Sequence, residues 1–358
     1  MRKILDVTFV ICSDRVYRQL SLQDILPSYP CSKFYPVENM IKTSVTDPVH
    51  PPLLTIAIPT CNRGEILQHV CEALLQQTVS ADKFIVLIVD NNSTDDTQQR
   101  MADMAKHFPY FSCIKERKAG SSHARNAAWQ NCTTPWIAYI DDDSLPSPEF
   151  VDALLRTITL DDCDVIAGKV TPWKHSPLPS WFLDEYETYS PVEDSSGFLC
   201  PKDFAVGNNM TFRLSAIQQA GGFDPRFGVK GTLVPYGEET VLQIMIRKNG
   251  GKIRYVPSAM TSHLAKPSRY TVSNLLRISY FSGKSTPIIY NWRGWKELVR
   301  LCLKVPYRLA LAIGKSSIRL YQSTYTWENA VITTVGECLF LVGMFRGFFW
   351  LMRHYKSE

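Results

Sequence analysis

The sequence predicts an α/β protein built on a mainly parallel sheet with helices on both faces. Three observations lead there. The segments LLTIAIP, KFIVLIVD and WIAYI are apolar throughout, as strands covered on both sides must be. Helix-periodic segments alternate with them. Asp90 and Asp141 close the second and third of these runs, at the sheet edge where such folds bind ligands.

Residues 1–50 lack a clear period, and PVHPPL at 48–53 punctuates the chain. They read as an N-terminal extension of unknown role. From Leu53 the first strand leads into NRGEILQHVCEALLQQ, a helix with Asn62 as its N-cap. The second strand is followed by STDDTQQRMADMAKHF, a helix opened by Ser93 or Thr94 with acids in its first turn. SSHARNAAWQNC is a third helix, WIAYI the third strand and SPEFVDALLRTI a fourth helix. VIAGKVTPW at 165–173 reads as another strand. Residues 174–206 are irregular and rich in proline and aromatics, a length that suggests a functional loop such as a lid. GEETVLQIMIRKNG is an amphipathic helix ending at Gly250, and KIRYVPSAM is a short strand. After residue 270 the pattern is helical and basic. The expected units are 1–50, 51–270 and 271–358.

Composition narrows the function. The chain is 45% hydrophobic and 20% charged, which fits a globular protein. Ten cysteines and seven histidines form no zinc spacing, and the cysteines read as reduced thiols of a cytosolic protein. ILDVTFVIC near the start is too short for a signal peptide and is broken by Asp6. The net charge of +5 is concentrated in residues 291–358, where ten Lys/Arg face four Asp/Glu. No basic patch accompanies the motifs, so nucleic acid is excluded as the main partner. A basic tail suits anionic lipid.

The chemistry centres on Asp141, Asp142 and Asp143. Adjacent carboxylates repel, so they need a partner. Asp141 and Asp143, one residue apart, can hold Mn²⁺ or Mg²⁺ through oxygen, with a diphosphate completing the shell. No G-x-G-x-x-G follows a strand, and Ile278 stands where a P-loop preceding GKS (283–285) needs its glycine.

TIAIPTCNR, IVDNNSTDDT, KAGSSHARNAAW, WIAYIDDD, GNNMTFRLSAIQQAGGFD, GEETVLQIMIRKNG and TSHL come in the order and rough spacing of family 2 glycosyltransferases. The resemblance covers residues 53–265. It implies a GT-A fold and inverting transfer of a sugar from a nucleotide diphosphate donor. Pro59, Thr60 and Arg63 would cradle the nucleotide. Asp90 would read the base and Asn92 shape the turn after it. Gly120 and Arg125 match a segment near the donor phosphate or ribose, with an ion pair in the acidic cluster the alternative for Arg125. Asp141 would contact donor sugar or ribose, Asp142 either donor or metal, and Asp143 would ligate the metal, joined by His263. Lys266 and Arg269 are candidate diphosphate partners. The family's general base lies in an acidic pair, usually Glu-Asp. Here it is Glu238-Glu239, with Glu239 favoured. Asn208, Asn209 and Trp181 would face the acceptor, with Trp173 a further sugar-stacking candidate.

AVITTVGECLFLVGMFRGFFWLM (330–352) is long enough to span a bilayer, but Glu337 and Arg346 interrupt it. A helix lying in the membrane interface, a re-entrant hairpin and a helical layer packed on the core are the alternatives, with Gly343 and Gly347 too weak a pattern to choose. The expectation is a cytosol-facing enzyme at the membrane surface. It adds one sugar, most simply from a UDP-sugar, to a glycan or lipid-linked acceptor. A nucleotidyltransferase and a non-catalytic nucleotide-sugar-binding relative are the alternatives.

Overall fold

The computed structural model describes residues 51–106, 110–192, 195–231, 236–292, 294–322 and 324–354. The expectation for residues 1–50 lies outside these.

Strands β1 (Leu54–Thr60), β2 (Phe84–Asp90), β3 (Phe111–Lys115) and β4 (Trp136–Ile140) form a parallel half in the order β3-β2-β1-β4. The sheet continues as β8-β6-β9-β5, with β7 (Gly197–Phe198) paired to β9. Here β5 is Ser144–Pro146, β6 Val165–Trp173, β8 Asn209–Arg213 and β9 Ile253–Leu264. β8 runs antiparallel to both β4 and β6, whereas β6 and β9 are parallel. The sheet is therefore mixed: all-parallel in its first half, and in its second half parallel only between β6 and β9. The sequence reading missed β3, β5, β7 and β8, which are short and lie beside helix-like or polar segments.

Side-chain alternation explains the two cores. Leu54, Ile56 and Ile58 of β1 point to one face, with Leu67, Val70 and Leu74 of α1 (Gly64–Leu75) and Leu154 of α4 (Phe150–Leu160). Ala57 of β1 and Tyr139 of β4 point to the other. There they meet Ala124 and Ala128 of α3 (Ser121–Gln130), Ile217 of α5 (Leu214–Ala220) and Leu242 of α6 (Glu238–Lys248). Two helix caps differ from expectation. Asn62 precedes α1 at φ 55° and accepts from Thr94 N at 2.7 Å, tying the β1 loop to the β2 loop. α2 (Thr97–Ala105) starts after Asp96, and Asp95 accepts from Thr97 N at 3.0 Å.

The tail is three helices, α7 (Val272–Ile289), α8 (Trp295–Arg319) and α9 (Trp327–His354). α9 is long and apolar enough to cross a membrane, yet 44% of its apolar window is buried in the protein. Gly343 and Gly347 explain the packing: a Cβ there would fall 2.2 Å from Tyr280 O and 2.1 Å from Lys284 O, so the α7 and α9 backbones touch. The two charges that break the apolar run have partners. Glu337 pairs with Arg308 of α8, and Arg346 donates to the Tyr280 hydroxyl at 3.2 Å. The eight described cysteines are all free.

Candidate active site

A cleft of about 1060 Å³ runs along the strand ends and on between the tail helices. Pro59, Thr60 and Arg63 line it at the end of β1, and Gly120 and Arg125 at the start of α3. Gly120 sits at φ 141°, and its N–H donates to Asn91 Oδ1 at 2.8 Å.

Each member of the aspartate triplet has a cationic partner. Asp141 lies 3.5 Å from Arg125 Nη2. Asp142 accepts from Arg63 at 2.7 Å and from the Thr60 hydroxyl at 2.7 Å. Asp143 accepts from Lys266 at 2.6 Å and Arg63 at 2.9 Å, and lies 3.2 Å from His263 Nε2. These neighbours explain how three adjacent carboxylates are tolerated. They also separate their states. Burial, against the Arg63 charge, pushes Asp142 up to about 6. Burial works on Asp143 too, but hydrogen bonds from His263 and Lys266 and the Arg63 charge hold it well below the usual carboxylate range.

Ligand atoms of Asp141, Asp143 and His263 lie within 4.8 Å of one another. His263 Nδ1 is bonded to Glu187 Oε2 at 2.9 Å, which leaves Nε2 turned toward Asp143. A carboxylate behind an imidazole fixes its tautomer and aims the other nitrogen, as in many metal sites. Burial would lower His263, but its bonds to Asp143 and Glu187 outweigh that and raise it to about 10. Two carboxylates and an aimed imidazole therefore fit a divalent ion, with proton release from His263 on binding.

The sequence reading missed Glu187. It comes from the irregular 174–206 segment, 76 residues from His263 in the chain. Its other oxygen accepts from the Tyr270 hydroxyl, and Arg269 lies 3.6 Å away. Only the length of the irregular 174–206 segment, which suggested a functional loop, pointed to this region.

The acidic pair opens α6 behind a glycine N-cap at φ 93°. Glu238 is buried and bonded to Arg125 Nη1 and, at 3.0 Å, to the Ser121 hydroxyl. Glu239 is half-buried and lines the cleft. Desolvation, reinforced by the Glu238 charge and opposed by Arg125, raises Glu239 to about 8. One guanidinium thus touches both the acidic pair and the aspartate triplet.

Other expected residues fall elsewhere. Asp90 is buried, and its oxygens accept from Ser93 N at 2.8 Å and Gln98 Nε2 at 2.7 Å; its neighbour Asn91 lines the cleft instead. Asn92 is exposed in a turn at φ 64°. Asn208 lines the cleft. Asn209 does not: it is buried, donating to Lys169 O at 3.0 Å and Ala259 O at 2.9 Å, so its amide joins β6 to β9. Trp181 is likewise outside the cleft wall, packed with Ala265 and Tyr270. Trp173 stacks near His69 and His175.

Residues 55–220 match Glycosyl transferase family 2. The chain is 23% identical over 263 residues to Glycosyltransferase AglE of Haloferax volcanii, covering 73% of this chain and 80% of that protein. It is 25% identical over 234 residues to the glucosyl-dolichyl phosphate glucuronosyltransferase of the same organism, covering 63% and 73%. A shorter match, 29% over 112 residues, spans about a third of the uncharacterized glycosyltransferase YibD of Escherichia coli (31% of this chain, 32% of that one). Among solved structures, the mannosyltransferase PcManGT from Pyrobaculum calidifontis, in complex with GDP-Man and Mn²⁺, superposes with a TM-score of 0.54 at 16% identity, covering 83% and 88%. Glu238, Glu239 and His263 all lie beyond the matched family segment. Sequence match and architecture agree: residues 55–220 form a family 2 glycosyltransferase segment, in a chain with the GT-A fold.

Proposed function

We propose that the chain moves one sugar from a nucleotide diphosphate donor, most simply a UDP-sugar, to a hydroxyl of a glycan or lipid-linked acceptor, with inversion. The observation that carries this is the Arg125 guanidinium, which links the Glu238-Glu239 pair to the aspartate triplet on one cleft wall. Donor and acceptor chemistry can then meet in one place.

Asp141, Asp143 and His263 would hold a divalent ion, which when bound supplies positive charge to the departing diphosphate. A mixed oxygen and imidazole set suits Mn²⁺ at least as well as Mg²⁺. Arg63, Asn91 and Gly120 line the nucleotide end, with Asp90 shaping the turn beneath them. Lys266 and Arg269 would contact the diphosphate. Glu239 would take the proton from the acceptor hydroxyl. Glu238 is already engaged by Arg125 and Ser121, so it positions that guanidinium. A base with a raised pKa accepts a proton more strongly once ionised. The relative named a glucosyl-dolichyl phosphate glucuronosyltransferase favours a lipid-linked acceptor. The basic helical tail favours peripheral attachment to the cytoplasmic face, where anionic lipid is concentrated.

Purified protein with Mn²⁺ should turn over a nucleotide sugar from a broad panel and release the nucleoside diphosphate, and Asp143→Ala should abolish it. Full activity in that variant removes the proposed metal role. Pyrophosphate as product would mean nucleotidyl transfer instead.

A further inference from the structure

An amphipathic helix of a globular protein turns its apolar face inward and its polar face to water. α8 departs from this. One apolar side, with Leu301, Val305 and Leu309, packs on Phe340, Leu341 and Met344 of α9. The side with Lys304, Arg308, Lys315 and Arg319 turns to the cleft. A second apolar side is left to solvent: Val299, Leu303, Tyr307, Ile313 and Ile318 are each more than half exposed. At 3.6 residues per turn these five fall within an arc of about 140°, and from Val299 to Ile318 they run for about 29 Å.

Single exposed apolar residues need no explanation, but a continuous face of them marks a surface that meets something apolar. What flanks the face identifies it. Lys296 and Arg300 are exposed at its start, on the same side of the helix. No Asp or Glu occurs between Glu297 and Glu328, so the face holds no carboxylate to repel an anionic headgroup. Tyr321 and Trp327, 94% and 66% exposed, stand at its far end. Such rings, apolar in body and polar at the edge, settle at the headgroup level of bilayers. Cations, aliphatic side chains and aromatics in this arrangement suit a helix lying in the plane of a membrane. A second copy of the same face would bring no carboxylate to meet Lys296 and Arg300. α9 is less free to engage lipid, because 44% of its apolar window is already buried.

We infer that the outward face of α8 seats the protein on an anionic bilayer, lying among the headgroups, with α9 packed behind it and not across the membrane. This deepens the peripheral attachment read above and rests on it, but not on the sugar donor. Leu303 and Tyr307 belong both to the exposed face and to the cleft lining. Docking therefore brings that end of the cleft against the lipid surface.

The test is flotation of the full chain with vesicles of mixed phosphatidylcholine and phosphatidylglycerol, and with vesicles of phosphatidylcholine alone. Ile313→Asp/Ile318→Asp breaks the apolar face, and Lys296→Glu/Arg300→Glu reverses its charged end. All four positions are exposed and none lines the cleft, so thermal melting and binding of UDP with Mn²⁺ should match wild type. Wild type should bind the mixed vesicles at least tenfold more tightly than the neutral ones. Each variant should bind the mixed vesicles at least tenfold more weakly than wild type. Equal binding to both vesicle types overturns the proposal. So does undiminished binding by either variant; if α9 spanned the bilayer, both would bind undiminished. A vesicle-free dimer that Ile313→Asp/Ile318→Asp dissociates would assign the face to a second copy and overturn it too. Absence of UDP binding in every form would sink the donor reading and leave this one standing.

Discussion

Replacing Glu187 by glutamine should weaken divalent-ion binding although Glu187 would touch no ion. The change keeps size and removes charge. The two Glu187 oxygens accept from His263 Nδ1 at 2.9 Å and from the Tyr270 hydroxyl. Glutamine can still accept from His263 Nδ1 through its oxygen and donate its NH₂ to the Tyr270 hydroxyl. The contacts survive in form, but the His263 bond loses its charge assistance. A hydrogen bond to a charged group contributes about 1.5–3 kcal/mol. At about 1.4 kcal/mol per decade, that predicts a loss of roughly 10- to 100-fold in Mn²⁺ affinity, the range seen when the carboxylate behind a metal-bound histidine is altered. Calorimetric titration of Mn²⁺ into wild-type and variant protein measures it. NMR titration of His263 supplies a second readout: with one of its two carboxylate partners neutralised, its pKa should fall from the raised value near 10. A folded variant with Mn²⁺ affinity within about twofold of wild type would refute the orienting role, because the charge-assisted bond is too strong to vanish unnoticed.

Three further outcomes are expected. If Glu239 is the base, it acts only when ionised, so kcat/KM should climb with pH through about 8 and level off above, and Glu239→Gln should lower kcat by roughly 10²- to 10⁴-fold without weakening donor binding. Arg125→Ala strands the buried Glu238 charge and should cost about 3–5 kcal/mol in denaturant unfolding; adding Glu238→Ala should recover part of it, a coupling that a double-mutant cycle reads directly. Asn329 is fully buried and donates to Trp181 O and the Tyr186 hydroxyl, each at 2.7 Å, so Asn329→Ala should lower the urea midpoint by an amount worth about 1–3 kcal/mol, with the slope unchanged.

The Asn329 contacts show how the tail bears on the site. α9 holds the 181–186 segment through Asn329, and α8 holds it through Arg319 to Glu185 at 2.8 Å. Glu187 follows directly and aims His263. The helices that the sequence sets apart as a basic, apolar tail thus brace the loop behind the histidine.

The sequence by itself determined the elements whose signal is local. β1, β2 and β4 are uninterrupted apolar runs because both faces of the sheet are covered, and that pattern is readable without neighbours. Strand-end position gave Asp141, and the spacing of two carboxylates able to share a hard cation gave Asp143. The antiparallel strands that join and edge the second half were not readable. β8 and β5 are short, and their pairing with strands far along the chain leaves no periodic trace. Tertiary structure alone decided the partners of the charges: Arg63 and Thr60 at Asp142, Glu187 at His263, Arg125 between Glu238 and Asp141. It also turned Asn209 and Trp181 into the packing. The reason is physical: burial and hydrophobic period are properties of a segment, whereas electrostatic pairing depends on distances between segments that only the folded chain fixes.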